Sequence, residues 1–130
     1  SEADGTAAER ITALAQTIAN GKICRIKYGS YTGNGKYGAA NAISIECGFY
    51  PLLVMVSSSS SSHYWAVRGF DKFYYNNNRE NEMTWGDTGV SWYYPQDDQY
   101  YSPSGNQMNT IDTTYYYLVL GYSNDGEQGN

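Results

Sequence analysis

Positive charge is scarce in this chain and nowhere concentrated. Lys and Arg number 8 against 13 Asp and Glu, giving a formal net charge of −5. A nucleic acid partner needs a basic footprint to neutralise phosphates, and an anionic membrane surface needs a polybasic patch. Neither is present. Long apolar runs are missing too. The longest, Leu52-Leu53-Val54-Met55-Val56, is strand-sized and far short of the ~20 residues of a membrane-spanning helix, so no membrane insertion is expected. Residues 1–22 show no basic segment followed by an apolar one, so no secretory signal is read there. Histidine occurs once, at His63, and cysteine twice, at Cys24 and Cys47. One cysteine pair is not a disulfide framework. Two buried free thiols are the favoured reading, and a bridge stays open because both cysteines fall in predicted strands. Four soft ligands for a zinc site cannot be assembled from this set.

What the chain has in excess is tyrosine: 15 Tyr against 3 Phe and 3 Trp. A sequence that needed only core volume would use Phe and Leu. Tyr serves where a ring packs on one side and its hydroxyl meets a polar partner on the other. The 41% hydrophobic content supports a real core, and 130 residues suffice for one domain.

The chain changes character at Gly21. Residues 1–21 read as a helical stub. Thr6 and Glu9 have capping-box spacing, Ala is frequent, and Gly21 is placed as an αL cap. Ile11, Leu14 and Ile18 are spaced three and four apart, which fits either a short coiled-coil stalk or a helix packed on its own domain. From residue 22 to 122 the period becomes two. Cys24, Ile26 and Tyr28 alternate with Arg25 and Lys27. Ile43, Ile45, Cys47 and Phe49 alternate with Ser44, Glu46 and Gly48. Leu52–Val56, Tyr64–Phe70, Met83–Trp85, Thr88–Tyr94 and Tyr115–Gly121 are further strand candidates, and Phe73–Arg79 holds Tyr74, Tyr75 and three asparagines. Between them lie the Gly/Asn-rich Thr32–Asn41, six serines at Ser57–Ser62, the Gly86-Asp87 turn and a long loop, Pro95–Thr110. No crossover helices separate the strands. The fold class is therefore all-β: an antiparallel, immunoglobulin-like β-sandwich after a short helix, with residues 123–130 a polar tail.

No catalytic constellation emerges. His63 sits beside the serine run, but a nucleophile needs rigid presentation and an oriented base, and six serines read as a flexible loop. Asp97 and Asp98 are neighbours on a loop, without the fixed separation of a glycosidase pair. Residues 124–127 lack the ligand spacing of a calcium loop, and Gly33-Asn34-Gly35 is no phosphate cradle. No cofactor or metal is expected. Loop composition points instead to binding. Ser57–Tyr64, Tyr74–Asn78 and Tyr93–Ser102 hold Tyr, Ser, Asn, Asp and Gln almost exclusively, a set suited to paratope-like recognition. The candidate ligand-binding residues are His63, Tyr64, Tyr74, Tyr75, Asn76, Asn77, Asn78, Tyr93, Tyr94, Tyr100, Tyr101 and Ser102. Tyr115–Tyr117 and Tyr28 are assigned to the scaffold. The competing readings are a glycan-processing enzyme using Asp97 or Asp98 and a purely structural domain.

Three segments carry a family resemblance. They are Gly29-Ser30-Tyr31-Thr32-Gly33 running to Tyr37-Gly38, the Cys47-Gly48-Phe49-Tyr50-Pro51-Leu52-Leu53-Val54-Met55-Val56 stretch, and Tyr115-Tyr116-Tyr117-Leu118-Val119-Leu120-Gly121. Together, over roughly Lys22 to Gly121, they resemble the C-terminal domains of bacteriophage tail-fibre and related virion proteins. The resemblance implies a receptor-binding domain on the virion surface, assembled in the bacterial cytoplasm as a homotrimer, with a host cell-surface protein or glycan as partner. The Tyr/Asn/Ser mixture at the candidate positions is also similar to that of immunoglobulin-like proteins diversified by a retroelement. That likeness implies hypervariable loops.

Overall fold

The computed structural model describes residues 6–20, 23–60, 62–70, 72–75, 79–97 and 102–123, and of residues 17–20, 72–75 and 79 the backbone alone. The first element is helix α1 (Ala7–Asn20). Its start is the reciprocal box read from the sequence. The Glu9 N–H donates to Thr6 Oγ1, and the Thr6 N–H donates back to Glu9 Oε1, both at 3.2 Å. Residues 7–16 are all exposed, with Ile11 at 68% and Leu14 at 62%. The apolar stripe of this helix therefore finds no cover on its own domain over those residues. Gly21 lies outside the described residues.

Among the described residues eight strands follow: β1 (Ile23–Thr32), β2 (Ile43–Glu46), β3 (Tyr50–Ser58), β4 (His63–Val67), β5 (Lys72–Tyr75), β6 (Arg79–Trp85), β7 (Gly89–Tyr93) and β8 (Thr114–Ser123). They form two four-stranded antiparallel sheets, ordered β1-β8-β3-β4 and β2-β7-β6-β5. This is the all-β sandwich preceded by a helix that the alternation predicted. The first strand pairs along its whole length with the last, Ile23 opposite Ser123 through Thr32 opposite Thr114. An immunoglobulin constant domain instead places its strands in ABED and CFG sheets, so strand order does not carry the immunoglobulin-like part of that expectation.

The core lies where the inward faces meet. Val54, Val56, Ala66, Tyr115 and Val119 come from the first sheet; Ile45, Met83, Val90 and Trp92 come from the second. Each large side chain buried there contributes roughly 1.5–3 kcal/mol. Pro51 is tolerated inside β3 because the register shifts between Pro51 and Leu53, and the pairing of β4 with β3 begins only at Leu53.

The two outer faces differ. On the second sheet, Ser44, Glu46, Glu82, Thr84, Ser91 and Tyr93 point outward, opposite in sense to the buried Ile45, Met83, Val90 and Trp92. On the first sheet the outward rows are Cys24-Tyr122-Tyr50, then Ile26-Leu120-Leu53-Val67, then Tyr28-Leu118-Met55-Trp65, then Ser30-Tyr116-Ser57-His63. Two assignments change as a result. Tyr28 is 79% exposed and Tyr116 is exposed, so neither is scaffold, while Tyr115 is buried and Tyr117 packs half-buried against the core. The reason is that β1 turns its apolar face, Cys24, Ile26 and Tyr28, away from the second sheet. Cys24 is thus exposed rather than buried, and both cysteines are free. Arg25 and Lys27 occupy the inward side of this edge strand, a placement that discourages pairing with a further strand.

Candidate binding surface

The chain runs up and down, so the connections sort into two groups. In the first sheet, Thr32, Ser58, His63 and Thr114 sit together at one end, fixed by the pairs Thr32–Thr114, Ser57–His63 and Ser58–Tyr115. In the second sheet, Ile43, Tyr75, Arg79 and Tyr93 occupy the matching end. The connections 33–42, 59–62, 76–78 and 94–113 therefore all leave one end of the sandwich. The other end carries 47–49, 68–71 and 86–88, together with the start of β1, while the two longest connections, 33–42 and 94–113, lie at the first end. All three loop segments singled out for their Tyr, Ser and Asn content belong to the long-loop end, and 33–42 joins them there.

The serine run is not the open linker its composition predicts. Ser57 and Ser58 finish β3, and Ser58 is buried. The Ser58 N–H donates to the Ser62 carbonyl at 2.8 Å, the Ser62 N–H donates to Ser58 Oγ at 3.0 Å, and the Ser59 N–H reaches the Thr114 carbonyl. These bonds make a closed hairpin. Ser61 lies outside the described residues.

The long loop after β7 is the organising element. It contains the one-turn helix α2 (Pro103–Asn106), capped by Ser102, whose Oγ accepts the Gly105 N–H at 3.1 Å. The helix ends in a Schellman motif. The Asn109 N–H bonds back to the Ser104 carbonyl, the Met108 N–H bonds to Gly105, and Met108 takes a left-handed φ of 62°. That reversal drives Gln107, Met108 and Asn109 inward, and all three are buried. Gln107 is fully enclosed. Its Oε1 accepts from the Gly38 and Tyr94 N–H groups at 2.9 and 2.8 Å, and its Nε2 donates to the Asn41 carbonyl at 2.7 Å. Its own carbonyl accepts the Trp92 indole N–H at 3.0 Å. Asn109 does the same for the start of the 33–42 segment. Its Oδ1 accepts the Asn34 N–H, and its Nδ2 donates to Asn34 Oδ1 and to the Lys36 carbonyl. The backbones approach closely here. A Cβ on Gly33 would stand 2.0 Å from the Thr110 carbonyl oxygen, so only glycine fits. At the surface Tyr37 donates its hydroxyl proton to Asp97, and that bond raises the Tyr37 phenol above its ordinary range. Below, the Tyr31 hydroxyl donates to the Met108 carbonyl at 2.9 Å, and its ring stacks on Tyr115. Burial first, and the neighbouring Tyr115 second, raise the Tyr31 phenol far above its ordinary value.

The candidate residues divide under this geometry. His63 is exposed on the outer face of the first sheet, with its Nδ1 2.7 Å from Ser57 Oγ. Tyr93 is half-buried on the outer face of the second. Tyr64 points inward and packs against the core, and Tyr94 is 2% exposed, so both leave the surface and join the scaffold. Their sequence neighbourhood is that of a loop, but strand alternation at Tyr64 and the Gln107 contact at Tyr94 turn them inward. Ser102 is exposed, with its hydroxyl committed to the α2 cap. Tyr74 and Tyr75 end β5 at this same end, with only their backbone described. Asn76, Asn77, Asn78, Tyr100, Tyr101 and the carboxylate Asp98 lie outside the described residues.

Gln107, Asn109 and Tyr37 were not among the sequence candidates. Gln and Asn in a Pro/Gly/Ser loop carry no periodic signal, and only the tertiary structure buries them. Among the described residues, no three His, Cys, Asp or Glu side chains gather as metal ligands. Comparison with protein-family models, curated proteins and solved structures finds no match.

Proposed function

We propose that this chain is a non-catalytic recognition domain that meets its ligand at the long-loop end of the sandwich. One observation carries the reading. All the polar-aromatic loops leave the same end, opposite the end where α1 enters, and buried amides brace two of them into one body. A rigid platform of this kind spends little entropy on binding, and Tyr, Ser and Asn at its tips supply contact area and adaptable hydrogen bonds. The resemblance to phage tail-fibre domains suggests the setting: an exposed position on a virion, a homotrimer, a host cell-surface protein or glycan as ligand, and loop tips open to diversification. An entry helix at one end and loops at the other suit a domain carried outward on a stalk.

The test uses the fluorescently labelled full chain on a glycan array and on a panel of bacterial cells. Binding by the wild type and its loss in a Tyr100→Ala/Tyr101→Ala variant with an unchanged thermal melt is the expected result. Binding unaffected by that substitution, or a variant that unfolds, removes those tyrosines from the site. Hydrolysis of an arrayed glycan that Asp97→Asn abolishes would replace binding with catalysis.

A further inference from the structure

Asparagine followed by glycine is a reactive pair. The glycine nitrogen gives up its proton and attacks the asparagine Cγ. The Cγ–Nδ2 bond breaks, ammonia leaves, and a cyclic imide closes between the two residues. Water then opens the ring on one side or the other, leaving aspartate or isoaspartate. Glycine permits the closure because it has no Cβ to crowd it and moves freely through backbone conformations. The chain holds two such pairs, Asn20-Gly21 and Asn34-Gly35. The second lies in the 33–42 connection, and both of its residues are exposed, so water and base reach it. Its reacting groups are nonetheless held. The Gly35 N–H donates to the Asn109 carbonyl at 2.8 Å. Asn34 Oδ1 accepts from the Lys36 N–H at 2.9 Å and from Asn109 Nδ2 at 2.7 Å, so its amide cannot swing toward the Gly35 nitrogen without breaking both bonds. The Asn34 N–H donates to Asn109 Oδ1 at 3.1 Å, and Asn109 itself is buried.

We infer that Asn34 is a deamidation site gated by Asn109. The reaction proceeds in molecules whose 34–36 segment has lifted off Asn109, and the folded platform suppresses it. The rate is that of the free dipeptide multiplied by the fraction of molecules open, as for amide exchange through local opening. The two products differ in consequence. Aspartate at position 34 keeps an oxygen for the Lys36 N–H and Asn109 Nδ2. Isoaspartate adds one carbon to the backbone path, and this stretch has no slack. The Gly33 N–H is tied to the Thr113 carbonyl at 2.8 Å and the Gly35 N–H to Asn109. Between them, a Cβ on Gly33 would stand 2.0 Å from the Thr110 carbonyl oxygen, so the segment lies against its neighbour along its backbone. The lengthened chain cannot keep both anchors, and the 33–42 connection leaves the platform for good. The inference holds whatever the loop end binds.

Peptide mapping by mass spectrometry tests it, on the full chain aged in mildly alkaline buffer with and without concentrated urea. The folded wild type should deamidate at Asn34 at least about tenfold more slowly than the unfolded chain, as an open fraction under one tenth requires. Asn109→Ala, shown folded by its thermal melt, should raise the folded rate at least about threefold. If that variant fails to fold, the wild type decides the matter: in urea below the global transition, Asn34 deamidation and Gly35 N–H exchange should rise in proportion. Equal rates in folded and unfolded wild type overturn the gating. A folded Asn109→Ala variant with the wild-type rate, or deamidation that stays flat while Gly35 exchange rises, overturns the role of Asn109. The isoaspartate form, separated from the aspartate form by chromatography, should lose exchange protection over 33–42. Retained protection there overturns the consequence drawn for the platform.

Discussion

The two ends of the sandwich are held by different means. At the turn end, the Arg68 guanidinium ties the sheets. Arg68 Nε donates to the Pro51 carbonyl at 2.8 Å, a second guanidinium nitrogen donates to the Gly86 carbonyl, and the group lies 3.7 Å from the Tyr50 ring centroid. The connections there are short and need little else. At the loop end, neutral amides do the bracing, and each amide meets several backbone groups. Amides satisfy the same kind of backbone groups without adding a charge of their own.

This contrast can be broken in order of expected effect. The largest change should follow Gln107→Leu. It leaves the Gly38 and Tyr94 N–H groups and the Asn41 carbonyl buried without their partner, at a cost of about 3–5 kcal/mol in urea unfolding. Amide hydrogen exchange should rise in 33–42 and 94–113 before it rises in β3 or β8. Arg68→Met should cost less, about 2 kcal/mol, because Arg68 is only half-buried and water replaces part of its two hydrogen bonds and cation–π contact. It should leave exchange at the loop end unchanged. If it loosens the loops as much as Gln107→Leu does, the ends are one cooperative unit and the contrast fails.

The smallest change at neutral pH should come from Tyr31→Phe, about 1 kcal/mol for the bond to Met108. The same substitution sharpens the comparison through pH. The Tyr31 phenol is raised on folding, so the folded state holds its proton after the unfolded chain has begun to release it. Its contribution is full below about pH 10 and declines as pH rises further. Wild-type stability should therefore fall above about pH 10, and the Tyr31→Phe variant should show a shallower alkaline slope.

The outer faces teach a related lesson about what alternation reveals. Ile26 and Tyr28 against Arg25 and Lys27 mark a strand with two unlike faces. The natural expectation turns the apolar side inward. In β1 the reverse holds, because this strand is an edge, and Ile26 and Tyr28 continue the outward rows of Leu120, Leu53 and Val67 and of Leu118, Met55 and Trp65 on the neighbouring strands. Tyr116, between the buried Tyr115 and the half-buried Tyr117, shows the same point: three consecutive tyrosines have different fates because strand geometry alternates their direction. Cys47 was read as strand and buried. It lies just past β2, half-buried, with its thiol hydrogen-bonding the Phe49 and Thr88 carbonyls.

Local chemistry was enough to determine the helix with its Thr6/Glu9 cap, the period-two strands, the turn at Gly86-Asp87 and the all-β class. Each depends on residues a few positions apart, where spacing and propensity act directly. The loops were legible as loops. Only the tertiary structure decided that these loops share one end, that Tyr64 and Tyr94 belong beneath the surface, and that Gln107 and Asn109 hold the platform. Those outcomes depend on which strands pair and on which buried backbone groups need partners. Both are set by residues far apart in the chain, and a polar side chain in a loop carries no local mark of the unpaired carbonyl or N–H it will meet.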